Sequence, residues 1–443
     1  MATDKATPLS FAEVDQTVTR TLEPAGRLYW SVIAALVLGM GFGLVCWLYQ
    51  ILVGIGAGGQ NNPVHWGTYL VNFVFWVGIA HSGTLISAIL HLLRAPWRNP
   101  VARAAETMTV FAICTAGLFP LIHLGRVWMA FFMIPVPNQR TLWPNFQSPL
   151  IFDLVAISTY LIVSVLFWYT GMLPDLAAIR DRASGAKKRI FRALSLGWTG
   201  RYQQWAHYAR SYLLFAALAT PLVISVHSVV SWDFALGVIP GWHTTIFAPY
   251  FVAGAIHSGL AMVLTLIIPL RAIFGYQRII TMGVLEKVAQ TIIFTGLIMG
   301  YSYATEHFIA WYSQSSVEME QMAFRMFGDM APQFWIMIVF NSLVPLLFFF
   351  RRFRRSLFWL FALSILINIG MWFERYVIII GGVAHDFLPH AFGGYAPTFI
   401  EYGIMLGTFC LFFFLFILFV KHMPSVSMTE MKEKISEDQA HGQ

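Results

Sequence analysis

Ten long apolar runs divide this chain and constrain its fold more than any other feature. They fall at about 28–54, 66–93, 105–134, 149–172, 208–236, 245–270, 283–312, 332–350, 356–380 and 398–420. A helix needs roughly 20 apolar residues to cross a bilayer, whereas a barrel strand needs only about 9–11. Inside hydrocarbon the backbone must satisfy its own hydrogen bonds, so spanning segments are helices or closed barrels. Runs this long exclude the barrel. The expected fold class is an all-α polytopic membrane protein with ten transmembrane helices. Of its 443 residues, 11% are charged and 58% hydrophobic, and a soluble domain would carry about 25% charged residues.

Lysine and arginine set the expected orientation. On the side holding both termini lie Lys5, Arg20, Arg27, Arg94, Arg98, Arg103, eight residues from Arg180 to Arg210, Arg271, Arg278, Lys287, Arg351, Arg352, Arg354, Arg355, Lys421, Lys432 and Lys434, which makes 24 of the 28. The opposite side has Arg140 and Arg325, while Arg126 and Arg375 fall within spans. The positive-inside rule then puts both termini in the cytoplasm, and an even number of spans agrees. The net charge of +7 is concentrated in short loops and gives no reason to expect nucleic acid. The polar first 27 residues lack the short apolar core of a cleavable signal peptide. The basic loop KKRIFRALSLGWTGRYQQWAHYAR (187–210) is amphipathic and aromatic. It suits an interfacial helix on anionic lipid or a surface for another subunit.

The chain repeats itself. IAHSGTLISAILHLLRA (79–95) matches AIHSGLAMVLTLIIPLRA (255–272), and GRLYWSVIAAL (26–36) matches ARSYLLFAALA (209–219). A histidine precedes each His-Ser-Gly, in HWGT (65–68) and WHTT (242–245). Four helices followed by four related ones in the same orientation make a parallel repeat about an axis along the membrane normal. The expected organisation is a cytoplasmic segment 1–27, a first four-helix bundle 28–172, a basic cytoplasmic loop 173–207, a second four-helix bundle 208–350, two extra helices 351–422 and a polar cytoplasmic tail 423–443.

Polar groups in the apolar runs point to function, because ionisable residues at bilayer depth are costly and mark sites or pathways. In LIHLGRVW (121–128), His123 and Arg126 stand three apart, on one face of a continued helix. His123 lies roughly 27 Å along its helix at 1.5 Å per residue, in the outer half of the membrane. Asp153 opens the next helix, so a hairpin would bring the two together. Glu374, Arg375, Glu306 and His307 fall at the same depth. Each also has a structural reading: Arg126 as an ion-pair partner of Asp153 or Glu374, Asp153 as a favourable charge at a helix N-terminus, His123 as a satisfied core histidine. Glu374 and Arg375, being adjacent, are expected to find different partners. Nearer mid-membrane lie His81, His257 and His227. They suit structural hydrogen bonding, a proton path with Glu306, or haem ligation. The cysteines Cys46, Cys114 and Cys410 are far apart in apolar runs, which speaks against a disulfide framework or a cysteine-ligated cluster.

A histidine and an aspartate beneath an apolar mouth suit a quinol. Its two hydroxyls lose two protons as two electrons leave, and a neutral imidazole and a carboxylate can accept them. With no redox ligand set in the chain, the electron acceptor must belong to a partner. The Pro- and Trp-rich loop 135–150 could form a lid or docking face.

The segment 122–160, with IHLGRVW, LWPNFQSPLIFD and ISTY, resembles the NrfD/PsrC-type membrane subunits of molybdopterin oxidoreductase-like complexes. Ten helices make the chain most similar to the NrfD-like subunits of bacterial alternative complex III, and His123 with Asp153 to the quinol-binding ActC type. The resemblance implies menaquinol or a similar quinol as substrate, with Arg126, Glu374 and Arg375 shaping the pocket. It also implies partners: an iron–sulfur, molybdopterin-oxidoreductase-like subunit on the outer face, a second NrfD-like subunit, and haem c subunits, in a bacterial plasma membrane. Iron–sulfur clusters and haem would reside in those partners alone. Phe152 departs from the Trp common before the aspartate. A proton translocator using His81, His227, His257 and Glu306, or a passive anchor, are the alternatives.

Overall fold

The computed structural model describes residues 9–134 and 149–441, and every regular element among them is helical. The expected loop 135–150, with Arg140, therefore lies outside the described residues except where Pro149 opens a helix. Ten helices are long and apolar enough to cross a membrane: α1 (Arg27–Val53), α2 (Gly67–Leu92), α3 (Pro96–His123), α4 (Ile151–Arg182), α5 (Tyr202–Ala235), α6 (Phe247–Ile273), α7 (Met282–Ser313), α8 (Ala331–Phe349), α9 (Leu357–Ala384) and α10 (Phe399–His422).

Packing groups these helices in a way the sequence did not suggest. α2, α3, α4 and α5 pack in sequence, with α5 returning to the end of α2. α6 packs on α7 and α9, and α8 on α7 and α9. α1, expected with the first four, has α10 as its main neighbour. Burial follows this arrangement. In α2 and α6, 83% of the apolar window is buried, against 11% in α1, so α2 and α6 form the centre and α1 faces outward.

The repeated His-Ser-Gly now has a packing explanation. α2 and α6 lie against one another, and a Cβ built on Gly259 would stand 1.9 Å from Ser82 Oγ and 2.8 Å from the Ile79 carbonyl. Only glycine permits that approach. The α1–α10 seam uses the same device at greater length. A Cβ on Gly43 would meet Gly407 Cα at 2.6 Å, and one on Gly403 would meet Cys46 Sγ at 2.4 Å. Gly39 faces Cys410, Gly43 faces Gly407 and Gly403 faces Cys46, a run of small residues of the kind that lets membrane helices approach closely.

Both chain ends meet on one face, here the terminal face; the other is the distal face. Helix Phe11–Thr19, capped reciprocally by Ser10 and Glu13, packs on helix Met428–His441. Asp15 joins them, holding Lys432 and also Arg182 at 2.6 Å each. The C-terminal helix is fixed to α3 by Arg98 and Glu430 at 2.7 Å, both nearly inaccessible, and to α4 by Thr429, whose N and Oγ1 donate to Asp175 Oδ1. Behind them Arg103 lies 3.4 Å from both Glu106 and Asp175, and Tyr212 donates to Glu106 at 2.8 Å.

Candidate quinol site

The distal end of the α2–α5 set is built around His123. α3 turns at Gly117 and Leu118 and closes with a short helical turn, Phe119–His123. Its end is pinned by Gln50 of α1, whose Nε2 donates to the Ile122 carbonyl at 2.9 Å while Tyr69 holds Gln50 Oε1. His123 is 1% exposed. Its ring lies against Trp66 with centroids 4.5 Å apart and planes 16° off parallel. Neither ring nitrogen has a hydrogen-bond partner among the described residues, although an unpaired buried polar group costs about 1–3 kcal/mol.

Trp66 reaches that ring from an unusual backbone. It has φ +62°, and Gly67 follows with φ +43°, so two successive left-handed residues turn the chain into α2. A bulky residue in this region is an outlier, and such outliers cluster at functional sites. A Cβ on Gly67 would fall 2.2 Å from the Tyr395 hydroxyl. That hydroxyl accepts from Thr68 N at 2.9 Å and donates to Glu401, which also accepts from Gly59 N at 2.6 Å. The loops before α2 and α10 are thus tied together beside the site.

Asp153, at the start of α4, is 3% exposed. Asp233, near the end of α5, stands close enough for the two carboxyls to interact, and the Oδ1 atom of each has no partner among the described residues. Two neighbouring carboxyls can hydrogen-bond to each other only with a proton between them. Sequence reading missed Asp233, which stands in SWDF inside an apolar run, because α5 had been assigned to the other bundle. It missed Trp66 because HWGT served only to align the repeat.

Arg126 does not share a helix face with His123. The helix ends at His123, Gly125 takes φ +73°, and Arg126 sits at φ −98°, exposed. The left-handed glycine breaks the periodicity on which the i, i+3 expectation rested. No ion pair joins Arg126 to Asp153 or Glu374 among the described residues.

Glu374 and Arg375 stand in the α6–α9 set with partners of their own. The expectation of different partners for adjacent residues is corrected: Arg375 Nη1 lies 2.6 Å from Glu374 Oε1. Their Cβ atoms diverge on the helix, but the long, flexible side chains meet. Tyr303 donates to Glu374 Oε2, and Asn341 donates to the Tyr303 hydroxyl at 2.9 Å. Asn341 lies within a π-turn of α8, Val339–Leu343. The Arg375 guanidinium sits 4.6 Å above the Phe251 ring.

The mid-membrane histidines divide. His81 and His227 face each other across α2 and α5 with ring centroids 4.5 Å apart. His81 also lies on Tyr160, at 4.8 Å, whose hydroxyl meets Thr84 at 2.5 Å. His257 belongs elsewhere, its Nδ1 2.8 Å from Thr295 Oγ1 of α7. Glu306 pairs with Arg325 at 2.9 Å, beside a distal cavity of about 640 Å³ also lined by His243 and His307.

Comparison with known proteins agrees with this architecture. Residues 56–385 match the family described as polysulphide reductase, NrfD. The chain belongs to the NrfD family. The matched range covers α2 to α9 and leaves out α1 and α10, the two helices that pack on each other. A protein of Halobacterium salinarum described as a putative membrane subunit of dimethyl sulfoxide reductase is 28% identical over 80% of this chain and 77% of its own. An Hdr-like menaquinol oxidoreductase integral membrane subunit of Archaeoglobus fulgidus is 21% identical over 92% of this chain and 95% of its own. The protein is an NrfD-type multi-pass membrane subunit of a redox enzyme complex.

Proposed function

We propose that this chain binds and oxidises a quinol, menaquinol or a close relative, at the distal end of α2–α5. The supporting observation is His123, a buried imidazole with both ring nitrogens unpartnered, pressed flat by Trp66 and lying at the same end of the set as a carboxyl pair. One quinol hydroxyl would give its proton to a His123 ring nitrogen. The other would give its proton to the unpartnered oxygen of Asp153, and Asp233 would take up the proton displaced within the pair. The two electrons pass to an acceptor in a partner. The name of the Archaeoglobus relative favours menaquinol. The partners we propose are an iron–sulfur, molybdopterin-oxidoreductase-like subunit on the distal face, haem c subunits beyond it and a second NrfD-like subunit. Positive-inside charge supports a terminal face in the cytoplasm, in a bacterial plasma membrane.

Coupled proton translocation is a second reading. It is favoured by two groups of buried titratable residues, His81 beside His227 and Tyr160, and Glu374 beside Arg375 and Tyr303.

The test is Asp153→Asn and His123→Ala in the assembled complex, with quinol-driven reduction of the partner's acceptor as readout. Both should abolish turnover while the complex assembles normally. An assembled Asp153→Asn complex with wild-type turnover removes the proposed acceptor.

A further inference from the structure

A cavity of about 530 Å³ opens on the terminal face, between the ends of α4 and α10, the chain before α1, and the helix Gly185–Leu194. Its position is that of the headgroup layer. Arg182 and His422 are the last residues of their spans, and Gly185–Leu194 is a short amphipathic helix with Lys187, Lys188, Arg189 and Arg192 on a fold-facing Phe191 and an exposed Ile190.

The charge in this cavity is unbalanced. Arg182, Lys187, Lys421 and His422 line it, with Glu23 the one acidic side chain in the lining. Arg182 is already paired with Asp15, and that carboxylate is shared with Lys432. Lys421 Nζ donates to the backbone carbonyls of Thr21, at 3.0 Å, and Glu23, which hold it in place without neutralising it. Lys187, Lys421 and His422 share this wall, with the Glu23 carboxylate the acidic group near Lys421. No ion pair joins Lys187 or Lys421 to a carboxylate among the described residues. Cations in excess of the carboxylates beside them call for an anion. Ile190 and Phe191 in the same wall call for an apolar chain beside it.

We propose that this cavity binds an anionic phospholipid, its phosphate between Lys187 and Lys421 and an acyl chain along Ile190 and Phe191. Basic pockets between span ends are the known type of such sites. A free phosphate would use the cations but not the apolar wall, and a zwitterionic lipid would use the wall but leave the charge uncompensated.

The experiment is native mass spectrometry of the full chain in non-ionic detergent, titrated with phosphatidylglycerol or phosphatidylcholine of identical acyl chains, or with inorganic phosphate. Phosphatidylglycerol should bind in preference to phosphatidylcholine. Lys187→Gln should weaken it by roughly five-fold, the effect of one lysine at an anionic surface. Lys187 is exposed, so this variant should fold. Lys188→Gln, on the same helix but outside the cavity lining, should bind within twofold of wild type. Equal losses for the two variants would reduce the site to diffuse surface attraction and overturn the proposal. So would equal binding of the two lipids, or full displacement of phosphatidylglycerol by inorganic phosphate.

Discussion

If Trp66 holds His123 in the orientation needed to receive a proton, removing the indole should cost turnover without dismantling the protein. The stack is nearly parallel at 4.5 Å and 16°. Such aromatic contacts are worth about 0.5–1.5 kcal/mol beyond the area they bury. If that energy is what selects the poised ring orientation, Trp66→Ala should lower kcat/KM for quinol by roughly two- to thirteen-fold. Trp66→Phe keeps a flat ring and should recover most of the loss. The backbone contributes little to the difference, since alanine, tryptophan and phenylalanine all meet the same left-handed penalty at φ +62°. Gln50 and Tyr69 continue to hold the end of α3 in every variant, so assembly should be normal. The assay is steady-state quinol oxidation by the purified complex, with subunit stoichiometry confirmed for each variant. Wild-type kcat/KM in an assembled Trp66→Ala complex would show that the stack is packing alone. An equal loss in the Phe variant would show that indole shape, rather than ring stacking, is what matters.

Three further outcomes follow from the packing and charge arrangement. Gly407→Leu should separate α1 from α10, because its Cβ would stand 2.8 Å from Gly43 Cα and backbone cannot yield; the variant should lose thermal stability in detergent, and wild-type stability would contradict the close seam. Arg375→Met leaves Glu374 buried without its cation and should destabilise by about 3–5 kcal/mol, read as loss of thermal stability in detergent; the Glu374→Gln/Arg375→Met double variant should regain much of it, and a double variant no better than the single would contradict the pairing. Burial alone would raise the Glu430 carboxyl, but the Arg98 guanidinium outweighs it and holds the group below its ordinary value. A lowered carboxylate stabilises above its unfolded pKa, about 4.3, and that contribution is lost as pH falls through the folded value. Hydrogen exchange in 428–441 should therefore rise below about pH 4, and Glu430→Gln should show raised exchange already at pH 7; exchange that ignores both changes would mean the pair does not fasten the tail.

The sequence showed the spans because bilayer thickness imposes a length that no local preference can hide. It also drew attention to His123 and Asp153, both buried in the structure, since polar residues stand out against apolar runs. It did not show which helices group together, and the reason is specific. The similarity between 26–36 and 209–219 suggested that α1 corresponds to α5, but helices in lipid share composition whatever their neighbours. What decides grouping is close approach, and that is set by a few small residues: Gly259 against Ser82, and Gly43 against Gly407. With the grouping shifted by one helix, Asp233 fell into the wrong set and was overlooked. Glu374 and Arg375 have partners in α7 and α8 that the sequence did not suggest, for a related reason. Depth along the membrane normal was legible, but lateral position was not. Equal depth put them level with His123, while packing placed them in the other set.

The corrected grouping also explains why the two halves have such different distal ends. In α2–α5, His123 and the Asp153–Asp233 pair keep unsatisfied atoms, and a left-handed Trp66 holds the ring. In α6–α9 the corresponding region is neutralised within the chain. Glu306 is paired with Arg325, His307 Nδ1 lies 2.7 Å from the Tyr303 carbonyl, and Trp242 donates to the Ile378 carbonyl at 2.6 Å. One end thus keeps hydrogen-bonding capacity to spare and the other is filled from within. A quinol needs acceptors that the protein has not already used, so only the first end suits the proposed chemistry. Removing Arg325 would free Glu306 but supply no stacked histidine beside it, and an Arg325→Met complex should therefore gain no second quinol site in a binding stoichiometry measurement; a second equivalent of bound quinol would mean that internal neutralisation alone is what silences the α6–α9 end.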